Sequence, residues 1–322
     1  MPTRSLALAL VAVCLASSPS LARRPSHRGI ASRSVAPLTR DGRPNIQAQA
    51  AVIVDMTPGG SDLYSKNADA VRPIASISKL MAVLVVMDRG LRLEGTTVIT
   101  KDDKKVAWKG ARSRLLEGME MTNRDLLHAA LIASDNRAIP ALGRAVGLAP
   151  EQLAAEMTKK ARAMGLAHTE FKDPTGLSDN NVSTPRETIR MLRAVLANPT
   201  LAEILKKPHY VAQPVNRRGL IEYTNTDQLV RTGRWQVLGG KTGYTDIARY
   251  CLVVAAKLGD REVGMAFLGA EGKLTRFGDF QRAAEWMARQ NFRPAPAETT
   301  ASTAPAPAPP PAAPVAPAAA HP

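Results

Sequence analysis

Hydrophobic and polar positions divide the chain into one folded unit, roughly residues 45–293, with strand-like zones at both of its ends. Near its start, residues 50–55 (AAVIVD) form an apolar, β-branched run of the kind found in buried strands. A Pro-Gly-Gly turn at residues 58–60 follows, and residues 62–64 can return as a second strand. The folded unit is therefore predicted to begin with a β-hairpin.

The middle zone, about residues 74–206, has the spacing of apolar positions that is typical of amphipathic helices. Pro150 stands at a favourable first helical position, and apolar residues recur on one face behind it until Gly165. Residues 184–187 (TPRE) have the sequence of a capping box with proline at the first helical position. We therefore predict one helix from Pro150 to Gly165 and another behind the capping box.

The last zone is strand-like again. Residues 250–256 (YCLVVAA) and 263–268 (VGMAFL) flank a Gly-Asp turn, and an amphipathic helix from about 274 to 290 follows. Strands from both ends of the folded unit can pair in one antiparallel sheet, and the helical middle then forms a second lobe. The pattern predicts a two-lobed α+β fold with the substrate crevice between the lobes.

Both termini differ from the folded unit in composition. Residues 1–22 combine one early charge, an apolar run and small closing residues, which is typical of a cleavable secretory signal peptide. Cys14 leaves a lipoprotein signal as an alternative, although the residue before it is not small. We expect residues 23–44 to form a disordered basic arm and residues 294–322, rich in proline and alanine, to form a disordered tail.

The net charge of +15 is the strongest compositional signal and would suit a nucleic-acid-binding protein. A secretory signal argues against nucleic acid, because a secreted protein meets an anionic cell envelope instead. Six of the arginines also lie in residues 23–43, outside the folded unit. Removal of the signal leaves Cys251 as the single cysteine, so the domain must fold without an intramolecular disulfide.

The first candidate for chemistry is Ser76, which forms the chain's S-x-x-K sequence with Lys79. The apolar run at residues 80–86 places this pair at the start of a buried helix, with both side chains on one face. A serine hydroxyl needs a base within hydrogen-bond reach, and a lysine becomes a base when burial lowers its pKa. A capping serine beside a solvated lysine is the simpler alternative.

A second motif, Ser134-Asp135-Asn136, follows an apolar helical stretch. Ser134 could relay a proton, and Asn136 offers both a donor and an acceptor to a substrate amide. Another S-D-N occurs at residues 178–180, in a region rich in proline and glycine where ordinary turn chemistry accounts for it. Ser134 is preferred because it lies at a helix end, between the nucleophile helix and the late strands.

The third motif is Lys241-Thr242-Gly243 at the start of the late strand zone. Lys241 and Thr242 could bind a substrate carboxylate by charge and by hydroxyl, and Gly243 would allow a substrate backbone to approach the strand. Each motif alone is weak, but the three together in this order are the set found in penicillin-binding proteins and β-lactamases.

The chain resembles the S11 family of D-Ala-D-Ala peptidases over residues 46–288. The resemblance includes the sequences around the motifs: PIASISKLM, SDNRA, DPTGLS and GKTGYT. Within the family, residues 224–230 (TNTDQLV) are similar to the D,D-endopeptidase type. The resemblance implies a D,D-peptidase/serine β-lactamase-like fold, in which a five-stranded antiparallel sheet with flanking helices adjoins an all-helical lobe.

The resemblance also implies a catalytic role for three residues. The acyl-enzyme would form on Ser76, Lys79 would be its base, and Ser134 would assist proton transfer to the leaving amine. Neither a metal nor a cofactor is implied.

The other matched residues would bind substrate. Asn136 would hold the substrate amide, while Lys241 and Thr242 would receive the terminal carboxylate. The backbone N–H groups of Ser76 and Tyr244 would form the oxyanion hole, next to Gly243.

Four possible functions remain open. A D,D-endopeptidase is favoured, because carboxypeptidase relatives commonly carry a second β-rich domain and a membrane helix where this chain continues into its Pro/Ala tail. A D-Ala-D-Ala carboxypeptidase is the first alternative. A β-lactamase needs a carboxylate that activates water, and Glu151 is the nearest acid after Asn136, although it also suits a helix N-terminus. A non-enzymatic binding module would not need Lys79 and Ser134.

The matched region departs from the family at Arg249-Tyr250, where small residues are usual, which leaves substrate preference at that cleft edge open. We expect peptidoglycan with D-alanyl stem peptides to be the substrate and β-lactams to acylate the protein. A periplasmic monomer without a stable membrane anchor and without a nucleic-acid partner is expected.

Overall fold

The computed structural model describes residues 35–108 and 110–290, so the predicted signal peptide and Pro/Ala tail lie outside the described residues. Strands from both ends of the folded unit meet in one five-stranded antiparallel sheet, which confirms the predicted fold class. From one edge to the other the strands are β2 (Asp62–Lys66), β1 (Ala50–Asp55), β11 (Arg261–Ala270), β10 (Arg249–Leu258) and β9 (Gln236–Thr245).

The remaining strands form three short antiparallel ladders: β3 (Arg72–Pro73) with β6 (Val182–Ser183), β4 (Thr96–Val98) with β5 (Glu120–Thr122), and β7 (His209–Ala212) with β8 (Ile221–Thr224). The helices are a 3-10 turn (Ala75–Ser78), α1 (Lys79–Asp88), α2 (Lys101–Val106), α3 (Asn123–Leu131), α4 (Ala138–Ala145), α5 (Pro150–Ala163), α6 (Pro185–Leu196), α7 (Pro199–Leu205), α8 (Gln228–Thr232) and α9 (Thr275–Arg289).

The three inner strands of the sheet, β1, β11 and β10, are covered on both faces, which explains why they have continuous apolar runs. In β1, Val52 belongs to the apolar cluster that includes the helical lobe, whereas its neighbour Ile53 belongs to the cluster under α9. Phe280 of α9 fills the second cluster, and Leu192 of α6 helps to fill the first. A strand that is buried on both sides cannot alternate between polar and apolar residues.

Helix α1 runs through the centre of the helical lobe. Its residues from Lys79 to Val86 are all buried, and a helix that is apolar all round is one that its neighbours enclose. The predicted burial of the helix behind Ser76 is therefore confirmed. Lys79 is the first residue of this buried helix, and its side chain is therefore enclosed by the helical lobe.

The predicted helix boundaries are confirmed, but one capping box is incomplete. Helix α5 begins at Pro150, and Gly165 follows it with φ of 72°. At α6, the hydroxyl of Thr184 accepts a hydrogen bond from the N–H of Glu187 at 3.2 Å, as predicted. The Glu187 carboxylate does not return to Thr184; it accepts from the N–H of His168 at 3.0 Å. This carboxylate therefore ties a loop to the helix, which local sequence cannot indicate.

The last residues of the predicted basic arm are ordered. Leu38 and Pro44 form an isolated antiparallel bridge, and the N–H of Asn45 donates to the Pro37 carbonyl at 3.0 Å. Leu38 packs against the apolar cluster under α9, and Pro44 is buried. The prediction of disorder is therefore wrong for residues 36–44, because their apolar side chains find a surface in the fold.

Candidate active site

Ser76 and Lys79 lie at the junction of the 3-10 turn and α1. Side chains three residues apart nearly eclipse one another in a 3-10 turn. The Lys79 Nζ consequently lies 2.9 Å from the Ser76 Oγ. Ala75, just before the serine, has φ of 48°, a left-handed conformation that costs about 1–3 kcal/mol and persists only where its surroundings enforce it. The nucleophile candidate therefore sits on a tightly constrained backbone.

The Lys79 ammonium is fully buried and has two further partners. Its Nζ donates to the Asn136 Oδ1 at 2.6 Å and to the Thr175 carbonyl at 2.5 Å. Burial lowers the pKa of Lys79 to about 7, although the nearby Asp173 and Asp135 carboxylates act in the opposite direction. With its pKa lowered this far, Lys79 can be a free amine near neutral pH, and a free amine can accept a proton from Ser76.

The turn after Asp173 holds the acceptor for Lys79 in place. One oxygen of the Asp173 carboxylate accepts the N–H groups of Thr175 and Gly176 at 2.6 and 2.9 Å, and the other accepts the N–H of Ser178 at 2.7 Å. A Cβ on Gly176 would lie 2.8 Å from the Ser76 nitrogen, so the turn packs directly against the nucleophile. The DPTG sequence therefore belongs to the site.

Ser134 meets Lys241 across the crevice. The Lys241 Nζ donates to the Ser134 Oγ and to the Thr242 carbonyl, each at 3.0 Å. Ser134 has φ of 61°, so it leaves α3 in a left-handed turn that aims its hydroxyl at the sheet. Burial, followed by repulsion from Lys79, lowers the pKa of Lys241 well below its ordinary value. A hydroxyl in contact with a lysine whose pKa is lowered is suited to proton relay.

Strand β9 lies directly against the nucleophile because of Gly243. A Cβ built on Gly243 would lie 2.7 Å from the Ile74 carbonyl oxygen and 3.3 Å from the Ser76 nitrogen. A side chain would therefore push the strand away from Ser76. Tyr244, the next residue of β9, lines the cleft together with Ser76.

The predicted residues converge on a cleft of about 830 Å³. Six of them line it: Ser76, Ser134, Asn136, Thr242, Gly243 and Tyr244. The two lysines lie behind its wall, since Lys79 is 0% exposed and Lys241 is 1% exposed. The crevice predicted between the lobes thus brings together all eight residues that were singled out from three distant motifs.

The structure also places the two alternatives considered in the sequence, the acid Glu151 and the second S-D-N sequence at residues 178–180. Glu151 is exposed in the first turn of α5 and, in the part of the chain that the structure describes, is not among the residues that line the cleft. In the second S-D-N, the Ser178 Oγ accepts the N–H of Asn180 at 3.2 Å, so it forms a turn. Its Asp179 lines the cleft and accepts a hydrogen bond from the Thr245 hydroxyl at 2.8 Å.

Three residues that the sequence did not indicate complete the site. The hydroxyl of Thr242 donates to that of Thr226 at 2.7 Å. Arg276, from α9, is 5% exposed and donates to the carbonyls of Gly243 and Cys251 at 2.9 and 3.1 Å. Burial raises the pKa of Asp227 to about 6. A single arginine in an amphipathic helix carries no sequence signal for a site; the 224–230 segment stood out only by resemblance.

This fold and cleft define the class of the D,D-peptidases. The structure is similar to the crystal structure of the Streptomyces K15 DD-transpeptidase, with a TM-score of 0.70 and 26% identity. The match covers 76% of this chain and 98% of that one. The resemblance of the fold, proposed from three short motifs, is therefore confirmed.

The sequence identifies the family. The S11 peptidase family model, described as D-alanyl-D-alanine carboxypeptidase, matches residues 38–272, and the chain belongs to this family. The D-alanyl-D-alanine endopeptidase of Escherichia coli is 33% identical over 80% of this chain and 83% of its own length. The endopeptidase of Pseudomonas aeruginosa is 32% identical over 83% of this chain and 87% of its own length.

Proposed function

We propose that the protein is a serine D,D-peptidase of peptidoglycan that forms an acyl-enzyme on Ser76 and cleaves D-alanyl cross-links. The observation that carries this proposal is the fully buried Lys79, whose Nζ lies 2.9 Å from the Ser76 Oγ and whose pKa is lowered to about 7. A solvated lysine beside a capping serine would have neither the burial nor the shifted pKa.

Acylation follows from the contacts of these groups. The Ser76 Oγ attacks the D-alanyl carbonyl carbon while its proton passes to the Lys79 amine. The N–H groups of Ser76 and Tyr244 stabilise the oxyanion. The C–N bond then breaks, and a proton reaches the leaving amine through the Ser134 hydroxyl. Water hydrolyses the ester and regenerates Ser76, so the reaction consumes one water and needs no cofactor.

The substrate is held on both sides of the scissile bond. Asn136, whose Oδ1 is engaged by Lys79, presents its amide to the acyl part of the substrate. Lys241 and Thr242 lie where the carboxylate of the leaving residue would come, and Gly243 keeps that strand close. In this proposal Tyr244 contributes its backbone N–H group to the oxyanion hole.

Cross-link cleavage is favoured over terminal trimming by the relatives. The match covers more than four fifths of the length of each of the two endopeptidases described above. The match covers less of the carboxypeptidases: 58% of DacF of Bacillus subtilis, which is 29% identical, and 75% of the enzyme of Streptomyces strain K15, which is 31% identical. Carboxypeptidase activity remains the second candidate, because the family model carries that description.

We further propose that residues 45–293 form the catalytic domain and that the protein acts in the periplasm. The predicted signal peptide and the expected anionic substrate support this location. In the described residues, no helix has both the length and the apolar character needed to cross a membrane.

Two assays test the proposal. Fluorescent penicillin should label the wild-type protein covalently, and Ser76→Ala should abolish the label. Labelling of the Ser76→Ala protein would show that another residue is the nucleophile. Purified cross-linked muropeptides should then be converted from dimers to monomers; loss of terminal D-Ala alone would identify a carboxypeptidase.

A further inference from the structure

One wall of the cleft is not used by the chemistry proposed above. Side chains alternate along β9, and Lys241 and Gly243 face the helical lobe, toward Ser134 and Ser76. Thr242 and Tyr244 therefore face the opposite side of the sheet, which α9 covers. The cleft continues around the edge strand onto this second side.

Two tyrosines form the floor of that extension. Tyr244 pairs with Tyr250 across β9 and β10, and their rings stack with centroids 4.3 Å apart. The Arg276 guanidinium lies 5.3 Å from the centre of the Tyr250 ring. Tyr250, one of the residues that departs from the family's small side chains, therefore builds an aromatic surface that a small residue would not supply.

The same surface carries positive charge at its outer end. Lys273 is exposed in the turn before α9 and lines the cleft together with Tyr250 and Arg276. An acid at this rim, Asp246, accepts a hydrogen bond from the Tyr244 hydroxyl at 2.8 Å. An aromatic floor with an exposed lysine at its end suits a peptide that carries carboxylates.

The position of this surface relative to Ser76 decides which part of a substrate it meets. The carboxylate of the leaving residue would lie at Thr242, on the α9 side of the strand. In a terminal D-Ala the leaving group ends at that carboxylate. In a cross-link the leaving amine belongs to a second stem peptide, which must continue beyond Thr242. Tyr250 and Lys273 lie on that continuation.

We infer that Tyr250 and Lys273 form a leaving-group subsite, which binds the acidic second stem peptide of a cross-link. The Tyr244–Tyr250 pair packs against the aliphatic part of the peptide, and Lys273 pairs with one of its carboxylates. This inference rests on the proposed function and deepens it, because it assigns the preference for cross-links to named side chains outside the acylation machinery.

The test compares three substrates that share Ser76 and differ in their leaving groups: benzylpenicillin, a pentapeptide ending in D-Ala-D-Ala, and a cross-linked muropeptide dimer. Tyr250→Leu should lower kcat/KM for the dimer about ten-fold through loss of the stacked ring surface. Lys273→Gln should lower it about three- to five-fold and weaken its dependence on salt. Both variants should change penicillin acylation and pentapeptide hydrolysis by less than about two-fold.

Two further variants keep the test decisive. Lys257→Gln, at an exposed lysine on the far end of β10, removes the same charge away from the cleft and should leave all three substrates unaffected. Tyr250→Phe keeps the ring and should retain dimer cleavage, which distinguishes lost stacking from a misfolded strand.

Equal losses on the dimer and the pentapeptide would refute the subsite, as would unchanged dimer cleavage in both Tyr250→Leu and Lys273→Gln. Failure of the proposed function would look different, because the wild-type protein itself would then either not react with benzylpenicillin or leave the cross-linked dimer uncleaved.

Discussion

The burial of Lys79 makes a quantitative prediction about stability. Its pKa of about 7 in the folded protein compares with an ordinary value of 10.5, which the unfolded chain should show. The unfolded state therefore binds more protons between these two values, so the stability of the protein rises with pH across that window. The base that acylation requires is thus destabilising at neutral pH.

The size of this effect follows from the shift. At 1.36 kcal/mol per pH unit, the cost of burying Lys79 is about 4 kcal/mol at pH 7 and about 2 kcal/mol at pH 9. Lys79→Met removes the titrating group and leaves the Asn136 and Thr175 acceptors unpaired, a penalty that does not depend on pH. The free energy of unfolding of the wild-type protein, relative to Lys79→Met, should therefore rise by about 2 kcal/mol from pH 7 to pH 9.

Denaturant unfolding of both proteins at several pH values between 7 and 9 measures this difference. The Lys79→Met protein should also lose penicillin acylation by at least about 100-fold. Lys257→Met, at an exposed lysine, should give a pH dependence parallel to that of the wild type. If the Lys79→Met and wild-type curves were parallel as well, Lys79 would not be deprotonated by burial, and its role as the base would lose its physical basis.

Two other predictions concern packing and titration. Gly243→Ala should slow penicillin acylation about 100- to 1,000-fold, because its Cβ would lie 2.7 Å from the Ile74 carbonyl oxygen and displace an oxyanion donor. Gly278→Ala in α9 should leave acylation unchanged, and equal acylation rates of Gly243→Ala and the wild type would refute the close approach. Burial lowers the pKa of His128 to about 4, so the unfolded state binds more protons between pH 6.5 and 4 and unfolding free energy should fall on acidification. His128→Gln should reduce this pH dependence in urea titrations; an unchanged slope would contradict the assignment.

Local sequence was sufficient for several contacts between residues that are close in the chain. Ser76 and Lys79 are three residues apart, so their proximity follows from helical geometry alone, and the distance of 2.9 Å agrees with it. The start of α5 at Pro150 and its end before Gly165 are likewise short-range effects of proline and glycine. Such features depend on backbone preferences that each residue carries with it.

The choice between two copies of one motif needed their surroundings in the sequence. Both S-D-N sequences lie between the nucleophile helix and the late strands, and Ser134 was favoured because it follows a helix, whereas Ser178 lies in a region rich in proline and glycine. The structure puts its hydroxyl 3.0 Å from the Lys241 Nζ, while the Ser178 hydroxyl accepts from the backbone of its own turn. The two tripeptides are identical, so the contact of Ser134 with Lys241 depends on how the sheet packs against the helical lobe.

The sequence by itself determined the two-lobed α+β class through its hydrophobic period, and the three motifs through their short spacings. The family followed from the resemblance of the sequences around those motifs to a known family. Only the tertiary structure decided what those residues experience. Lys79 has a lowered pKa because the helical lobe encloses it, and Arg276 reaches the Gly243 carbonyl only because α9 packs on the sheet. Burial and electrostatic fields depend on residues far apart in the chain, so no local pattern can record them.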